Sequence, residues 1–330
     1  MDILQQIPTR DSLLLLSKHQ IRQFFVKHPQ LAVSVCHKYA AALIGEEVAP
    51  TIAQGETSYT VKGKTKVVQF RDVRSPLDVR LVAEAQKTYG RLVPSCKRID
   101  RVCDVEVYLM DAVPGDPFSV VQRDLFAPDK TSHLAVTVQH FAEFMASAWL
   151  DGMNAPRQCD IAKLREGHQE RLAKLARALP QRLQAELRQV CDRLADLFAP
   201  DYPQVLNHIE LMEMNMHVDA RNGEICGVVD WAGATTGPFG LSFCGLETLL
   251  GVLTADNFIF LPQETRLRAL FWQRFYTITC ITSTRQRGAV HLARRVGLFE
   301  MYGFNSGDPA REGDFSLIIL EATLAVQSPI

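Results

Sequence analysis

Asn215 and Asp230 are the residues whose types and spacing point most directly at chemistry. Both lie in the stretch Val205 to Trp231, V-L-N-H-I-E-L-M-E-M-N-M-H-V-D-A-R-N-G-E-I-C-G-V-V-D-W. Asn222-Gly223 sits between two short apolar runs. That dipeptide is a strong signal for a two-residue hairpin turn, because both positions tolerate positive φ. A two-residue turn pairs Arg221 with Glu224, Val218 with Gly227 and Asn215 with Asp230. Directly opposed residues carry Cβ atoms roughly 4.5–5.5 Å apart. The turn therefore predicts an amide and a carboxylate side by side at the open end of a ribbon. Two oxygen donors of that kind suit a Mg²⁺ that keeps waters and substrate phosphates as its other ligands. Upstream of Asn215 stands a second carboxylate, Glu210, preceded by His208. A plain surface hairpin would also put Asn and Asp at its ends, so the hairpin alone leaves both readings open.

The order carboxylate, four residues, Asn, hairpin, Asp resembles the catalytic loop and metal Asp of kinases. The Asp-Trp ending is similar to the aminoglycoside phosphotransferase family, whose pattern is H-G-D-x-x-x-x-N, a hairpin, two apolar residues and D-W. Here it reads His208-Ile209-Glu210, Asn215 and Val228-Val229-Asp230-Trp231. The run L-M-E-M-N-M-H-V-D, with G-P-F-G-L-S after Trp231, resembles the phosphotransferase-like proteins of filamentous fungi. The resemblance implies an α+β, two-lobed protein-kinase-like fold, with a small antiparallel β-sheet lobe and a larger, mostly helical lobe. It implies ATP and Mg²⁺ as cofactors and a small hydroxylated molecule, such as a fungal secondary metabolite, as acceptor. Glu210 with His208 would then be catalytic, and Asn215 and Asp230 would hold the metal. Two residues depart from the pattern: the family's catalytic Asp is Glu210, and its Gly is Ile209. Glu keeps a carboxylate of similar pKa, but a misplacement of about 1 Å can cost roughly a hundredfold in rate.

The elements that must position these groups follow from periodicity. Residues 11–45 read as two helices, with Asp11 as N-cap, a break at Pro29 and Gly45 after the second. T-S-Y-T-V-K and K-V-V-Q-F-R read as the first strands. Between the helices and these strands, Gln54-Gly55-Glu56-Thr57-Ser58 is the candidate nucleotide-covering turn, giving Gly55 and Ser58 as contacts; an ordinary turn reads the same. The phosphate-binding Lys of the family falls near Gln69. Arg71, two residues on and on the same strand face, offers a cation, or is a solvated strand-end charge. Leu77 to Tyr89 is helical, and its Glu84 is either the partner of the strand cation or a surface Glu. Asp104 to Met110 alternates as a strand, and Asp111 to Pro117 reads as a hinge or a linker. Thr131 to Leu150 is a long amphipathic helix. Two charge-balanced helices fill 160–198, and further helical runs fall at about 241–253, 264–283 and 315–327. The implied divisions are 1–50 as a helical extension, 51–113 as the small lobe and 114–330 as the large lobe.

Composition sets the outer bounds. The 330 residues are 47% apolar and 22% charged, with a net charge of −1. Such a balance gives no electrostatic case for nucleic acid or an anionic membrane. No span is long and apolar enough for a membrane, and no leader pattern opens the chain. The eight cysteines are scattered without metal-site spacing and read as reduced thiols, so the expected location is cytoplasmic. Three functions stay open. One is ATP/Mg-dependent O-phosphotransfer. A second is the same fold turned to ATP-independent acid/base chemistry, a cyclisation or rearrangement, through Glu210 or His208. The third is a pseudokinase-like binding protein.

Overall fold

A computed structural model of the chain describes residues 3–326. The ends of the expected 1–50 and 114–330 segments, and the end of the helix expected at 315–327, lie outside the described residues. Contacts divide the chain into two compact units. The first combines Pro8–Leu125 with Met214–Ala232. The second combines the residues up to Ile7, Phe126–Glu213 and the chain from Gly233 on. By contacts the first division falls after Leu125, and the Asn222-Gly223 hairpin groups with the β-rich unit.

The first unit opens with α1 (Arg10–Lys27) and α2 (Val33–Ile44). Thr9, not Asp11, caps α1: its hydroxyl accepts from the Ser12 backbone N–H at 3.2 Å. Gly45, at φ 73°, ends α2. Next come β1 (Ala49–Pro50), β2 (Ser58–Lys62) and β3 (Lys66–Asp72). Helix α3 (Val79–Tyr89) follows, then β4 (Cys96–Val102) and β5 (Val105–Asp111). The five strands form an antiparallel sheet in the order β1-β2-β3-β5-β4. Alternation along the strands splits their residues between two faces. Tyr59, Val61, Val68, Phe70, Val105 and Val107 pack in one core with Phe24 of α1 and Cys36 and Ala40 of α2. Ser58, Thr60, Gln69 and Arg71 fall on the opposite face. Where the sequence reads a break, β6 (Asp116–Pro117) leads directly into α4 (Phe118–Leu125). β6 then pairs with β8 (Met216–Val218), which pairs with β9 (Ile225–Val228).

The β8–β9 register corrects the two-residue turn. Met216 pairs with Val228, His217 with Gly227, and Val218 with Ile225 after a bulge. Asn215 is opposite Val229, whose N–H donates to the Asn215 carbonyl at 2.9 Å, so Asn215 and Asp230 are not cross-strand partners. The cause is a longer loop. The Asp219 carbonyl accepts from Asn222 and Gly223 at 3.2 and 2.7 Å, and the Asp219 N–H donates to the Glu224 carbonyl. Of the dipeptide only Gly223 has positive φ, at 80°, whereas a two-residue type I′ turn needs both. The Asp219 carboxylate accepts from the backbone and guanidinium of Arg221, holding the longer loop.

The second unit is mostly helical: α5 (Thr131–Asn154), α6 (Ile161–Ala176), α7 (Gln184–Arg193), α8 (Cys244–Leu250), α9 (Glu264–Thr279), α10 (Thr284–Tyr302) and α11 (Phe315–Ala325). Short ribbons join β7 (Gln204–Asn207) to β10 (Thr235–Pro238) and β11 (Gly251–Leu253) to β12 (Phe258–Phe260). Trp149, Phe239, Phe243, Phe271 and Phe275 form its aromatic core. Beside them Glu247 is fully buried between Arg268 and Arg294, with bonds of 2.7–3.0 Å to each. Burial raises the Glu247 pKa, but the two guanidiniums outweigh it and leave the carboxyl below its usual value. All eight cysteines are free. Among the described residues no helix is long and apolar enough to cross a membrane.

Candidate functional site

The first unit contains a cavity of about 770 Å³ whose walls come entirely from its own residues. That volume is typical of small-molecule and cofactor pockets, roughly 300–1,000 Å³. The open face of the sheet supplies Ser58, Thr60 and Gln69, and the hairpin supplies Asn215, His217 and Asp230.

Arg71 is the best-fixed charge beside the cavity. It is 3% exposed. Its Nε donates to the Ser75 carbonyl and its Nη2 to the Ser75 hydroxyl. Its Nη1 donates to Gln69 Oε1 at 3.3 Å and to Asp230 Oδ1 at 3.1 Å. Gln69, where the lysine was expected, donates through Nε2 to the Ser58 and Thr60 hydroxyls at 3.3 and 3.2 Å. The polar row on this face is therefore tied together, and its guanidinium rests on the candidate metal carboxylate.

Asp230 has a φ of 58°. Left-handed backbone is uncommon outside glycine, though Asp tolerates it better than most residues. Trp231 shows how the turn is held. Its indole N–H donates to the Val228 carbonyl at 3.0 Å, and its ring packs on Tyr89 at 5.3 Å. The buried Trp anchors the chain while the residue before it turns into the cavity wall.

The turn at Gly55 is stiffer than a lone glycine suggests. Gln54, 2% exposed, donates to the Thr51 carbonyl and hydroxyl and to the Thr60 carbonyl. Its Oε1 accepts from the Thr60 N–H at 2.9 Å. One amide side chain thus clamps the turn to β2. His217 has a buried Nδ1 without a hydrogen-bond partner. Burial first, and nearby Lys62 second, push its pKa down to about 4, so the ring is neutral near pH 7.

Residues 57–242 match the model of the phosphotransferase enzyme family. The chain belongs to that family. No curated protein matches it. Among solved structures, a glucosamine kinase aligns at 15% identity over 80% of this chain and 74% of its own, with a TM-score of 0.50. An ethanolamine kinase of Plasmodium vivax aligns at 10% identity over 87% and 86%, with 0.49. An aminoglycoside phosphotransferase of Streptomyces rimosus aligns at 15% identity over 81% and 98%, with 0.45. At such identities the likeness is one of fold, and the fold is α+β and kinase-like.

In this chain Gly55, Ser58, Gln69, Asn215 and Asp230 all line the same cavity. Arg71 joins them through Gln69 and Asp230 and is not a solvated strand-end charge. Glu84 does not line the cavity; α3 contributes Val82 instead. His208 and Glu210 lie in the second unit, just after β7. His208 is buried at 1% and Glu210 is exposed. Ile209, 38% exposed, lies over Gly233, where an added Cβ would come within 3.2 Å of its Cδ1. The extra side chain is thus accommodated by a glycine. Sequence reasoning placed Gln54 in the covering turn without a role of its own and passed over His217: a buried glutamine carries no pattern, and a strand His reads as an ordinary strand residue. For Mg²⁺ the donor chemistry fits, with an amide and a carboxylate on one cavity. Among the described residues no group of three or more His, Cys, Asp or Glu could hold a metal. A Mg²⁺ there would need oxygens from a bound ligand and water.

Proposed function

We propose that the protein is an ATP- and Mg²⁺-dependent O-phosphotransferase acting on a small hydroxylated molecule. The observation that carries this reading is Arg71, buried, fixed on four sides and bonded to Asp230 on the cavity that Gln69 and Asn215 line. Phosphoryl transfer needs positioning and charge neutralisation more than covalent chemistry. Arg71 supplies the cation that Gln69 cannot, and its planar fork suits phosphate oxygens. MgATP supplies the phosphoryl group, and Asn215 and Asp230 are the residues that would hold the metal. Glu210, placed before Asn215 as the family's carboxylate is, accepts the acceptor hydroxyl proton. The burial of His208 favours a positioning role for it. A fungal secondary metabolite as acceptor rests on the run L-M-E-M-N-M-H-V-D and on G-P-F-G-L-S.

A second reading draws on the same contact. If Arg71 stays on Asp230, that carboxylate is neutralised and the chemistry left to the chain is ATP-independent acid/base chemistry through Glu210 or His208. Incubation of candidate hydroxylated acceptors with wild type, Glu210→Gln and Glu210→Asp, with and without ATP and Mg²⁺, separates the two by mass spectrometry. Phosphoryl transfer adds about 80 Da to the acceptor, only with ATP. Glu210→Gln should lower turnover roughly 10²–10⁴-fold, the usual range for a positioned acid/base group, and Glu210→Asp should be tolerated. An isomeric or dehydrated product formed equally well without ATP replaces the first reading with the second.

A further inference from the structure

The N-terminal helix, read from sequence as an extension packed on the sheet, is also part of the cavity wall. Arg10, Leu14, Lys18 and Ile21 of α1 all line it. They recur at helical spacing, so they form one stripe. Ser17, on the same side and 4% exposed, also lines the cavity, and its hydroxyl donates to the Thr51 carbonyl at 3.5 Å. That contact ties the helix to the turn that Gln54 clamps. Lys62 of β2 is a third cation on the wall.

The charge balance gives these cations their meaning. Gln69 is neutral, and Arg71 is matched by Asp230. Among the described residues, no carboxylate lies within ion-pair distance of Arg10, Lys18 or Lys62. α1 packs on the sheet core through Ile21, Phe24 and Phe25, towards the C-terminal end of this same side. Arg10 and Lys18, on the part of the stripe before them, are exposed cations that line the cavity.

We infer that α1 is a ligand-binding element, with Arg10 and Lys18 holding the polyphosphate of a nucleotide and Lys62 adding to their field. This rests on the nucleotide reading of the cavity. A polyphosphate carries several negative charges, and Arg71 alone, beside the neutral Gln69, leaves most of them unbalanced. Charge-assisted hydrogen bonds to phosphate are roughly twice as strong as neutral ones. The α1 cations therefore take a share of the work that a strand lysine does elsewhere.

The test titrates the full chain calorimetrically with ADP, adenosine and tripolyphosphate in the presence of Mg²⁺. The Arg10→Ala/Lys18→Ala variant should bind ADP at least about tenfold more weakly, lose tripolyphosphate, and bind adenosine within about twofold of wild type. The charge-keeping Arg10→Lys/Lys18→Arg variant should stay within about threefold for ADP, which separates lost charge from lost fold. ADP bound equally by wild type and the double Ala variant overturns the inference and leaves the nucleotide reading standing. A wild type that ignores ADP but captures tripolyphosphate through Arg10 and Lys18 overturns the nucleotide reading and keeps an anion-binding helix. A wild type that binds neither overturns both.

Discussion

Arg71 changes what the absent lysine means. Gln69 is not a defect left in a catalytic position. It is the hydrogen-bond bridge between the Ser58 and Thr60 hydroxyls and the Arg71 guanidinium. Restoring the family's residue should therefore harm the protein. Gln69→Lys would set an ammonium beside a buried guanidinium and strip it of one acceptor. We expect a lower melting temperature and no gain in ADP affinity. Arg71→Ala should weaken ADP binding by about ten- to a hundredfold, the range for losing a hydrogen-bonded charge of roughly 1.5–3 kcal/mol. Calorimetry decides: tenfold tighter ADP binding by Gln69→Lys would show that the site lacks its cation. At this scale the sequence was partly legible. The pairing of strand face and charge gave Arg71 as a candidate, because residues two apart share a face. The tie between Gln69 and Arg71 was not legible, since no pattern marks a side chain that bonds its neighbour. Nor was the position of Asn215 relative to Asp230. The loop closes at Asp219–Glu224, two residues longer than a two-residue turn, and the bulge after it takes one back, which leaves the partners of Asn215 and Asp230 one residue out of register.

At the scale of elements, the misses share a cause. β4 reads C-K-R-I-D-R-V and is largely exposed at the edge of the sheet. It has no apolar alternation to announce it, and charge on an edge strand guards against edge pairing. α10 carries four arginines and two glycines, which blur a helical pattern, yet ten or so of its residues are buried. Its Gly297 has no room for a Cβ, which would lie 2.2 Å from the Leu241 carbonyl oxygen. Its Arg294 is no surface charge but half of the clamp on Glu247. β2, β3 and β5, by contrast, were legible from their period of two. The clamp makes a prediction that depends on packing. Glu247→Gln keeps the volume but leaves the buried Arg294 without its counter-charge and Arg268 with Glu264 alone. Removing one partner of a buried ion network typically costs about 3–5 kcal/mol. Urea unfolding should show a loss of that order, and a loss under about 1 kcal/mol would mean the arginines find other partners. The cavity lies in the other unit, so any surviving folded fraction should keep its ADP affinity.

For the molecule as a whole, the cavity belongs to one unit that is discontinuous in sequence, Pro8–Leu125 with Met214–Ala232. Hydrogen exchange with ADP and Mg²⁺ should accordingly slow most in those two segments, because a ligand stabilises the regions that open least when it is bound. Protection strongest in α5, α9 or α10 would place the ligand elsewhere. The fold class was legible at this scale because one short stretch, His208 to Trp231, carries the family's order of residues. The partition was not, because a hairpin late in the chain joins a sheet made early. That discontinuity bears on synthesis. At about 5–20 residues per second, several seconds separate the emergence of Leu125 from that of Met214. Through that interval β6 has no β8 to pair with, and Arg71 has no Asp230. The nascent chain thus holds its cation before its anion, and a product cut off anywhere between the two segments keeps an unneutralised guanidinium against a half-built wall.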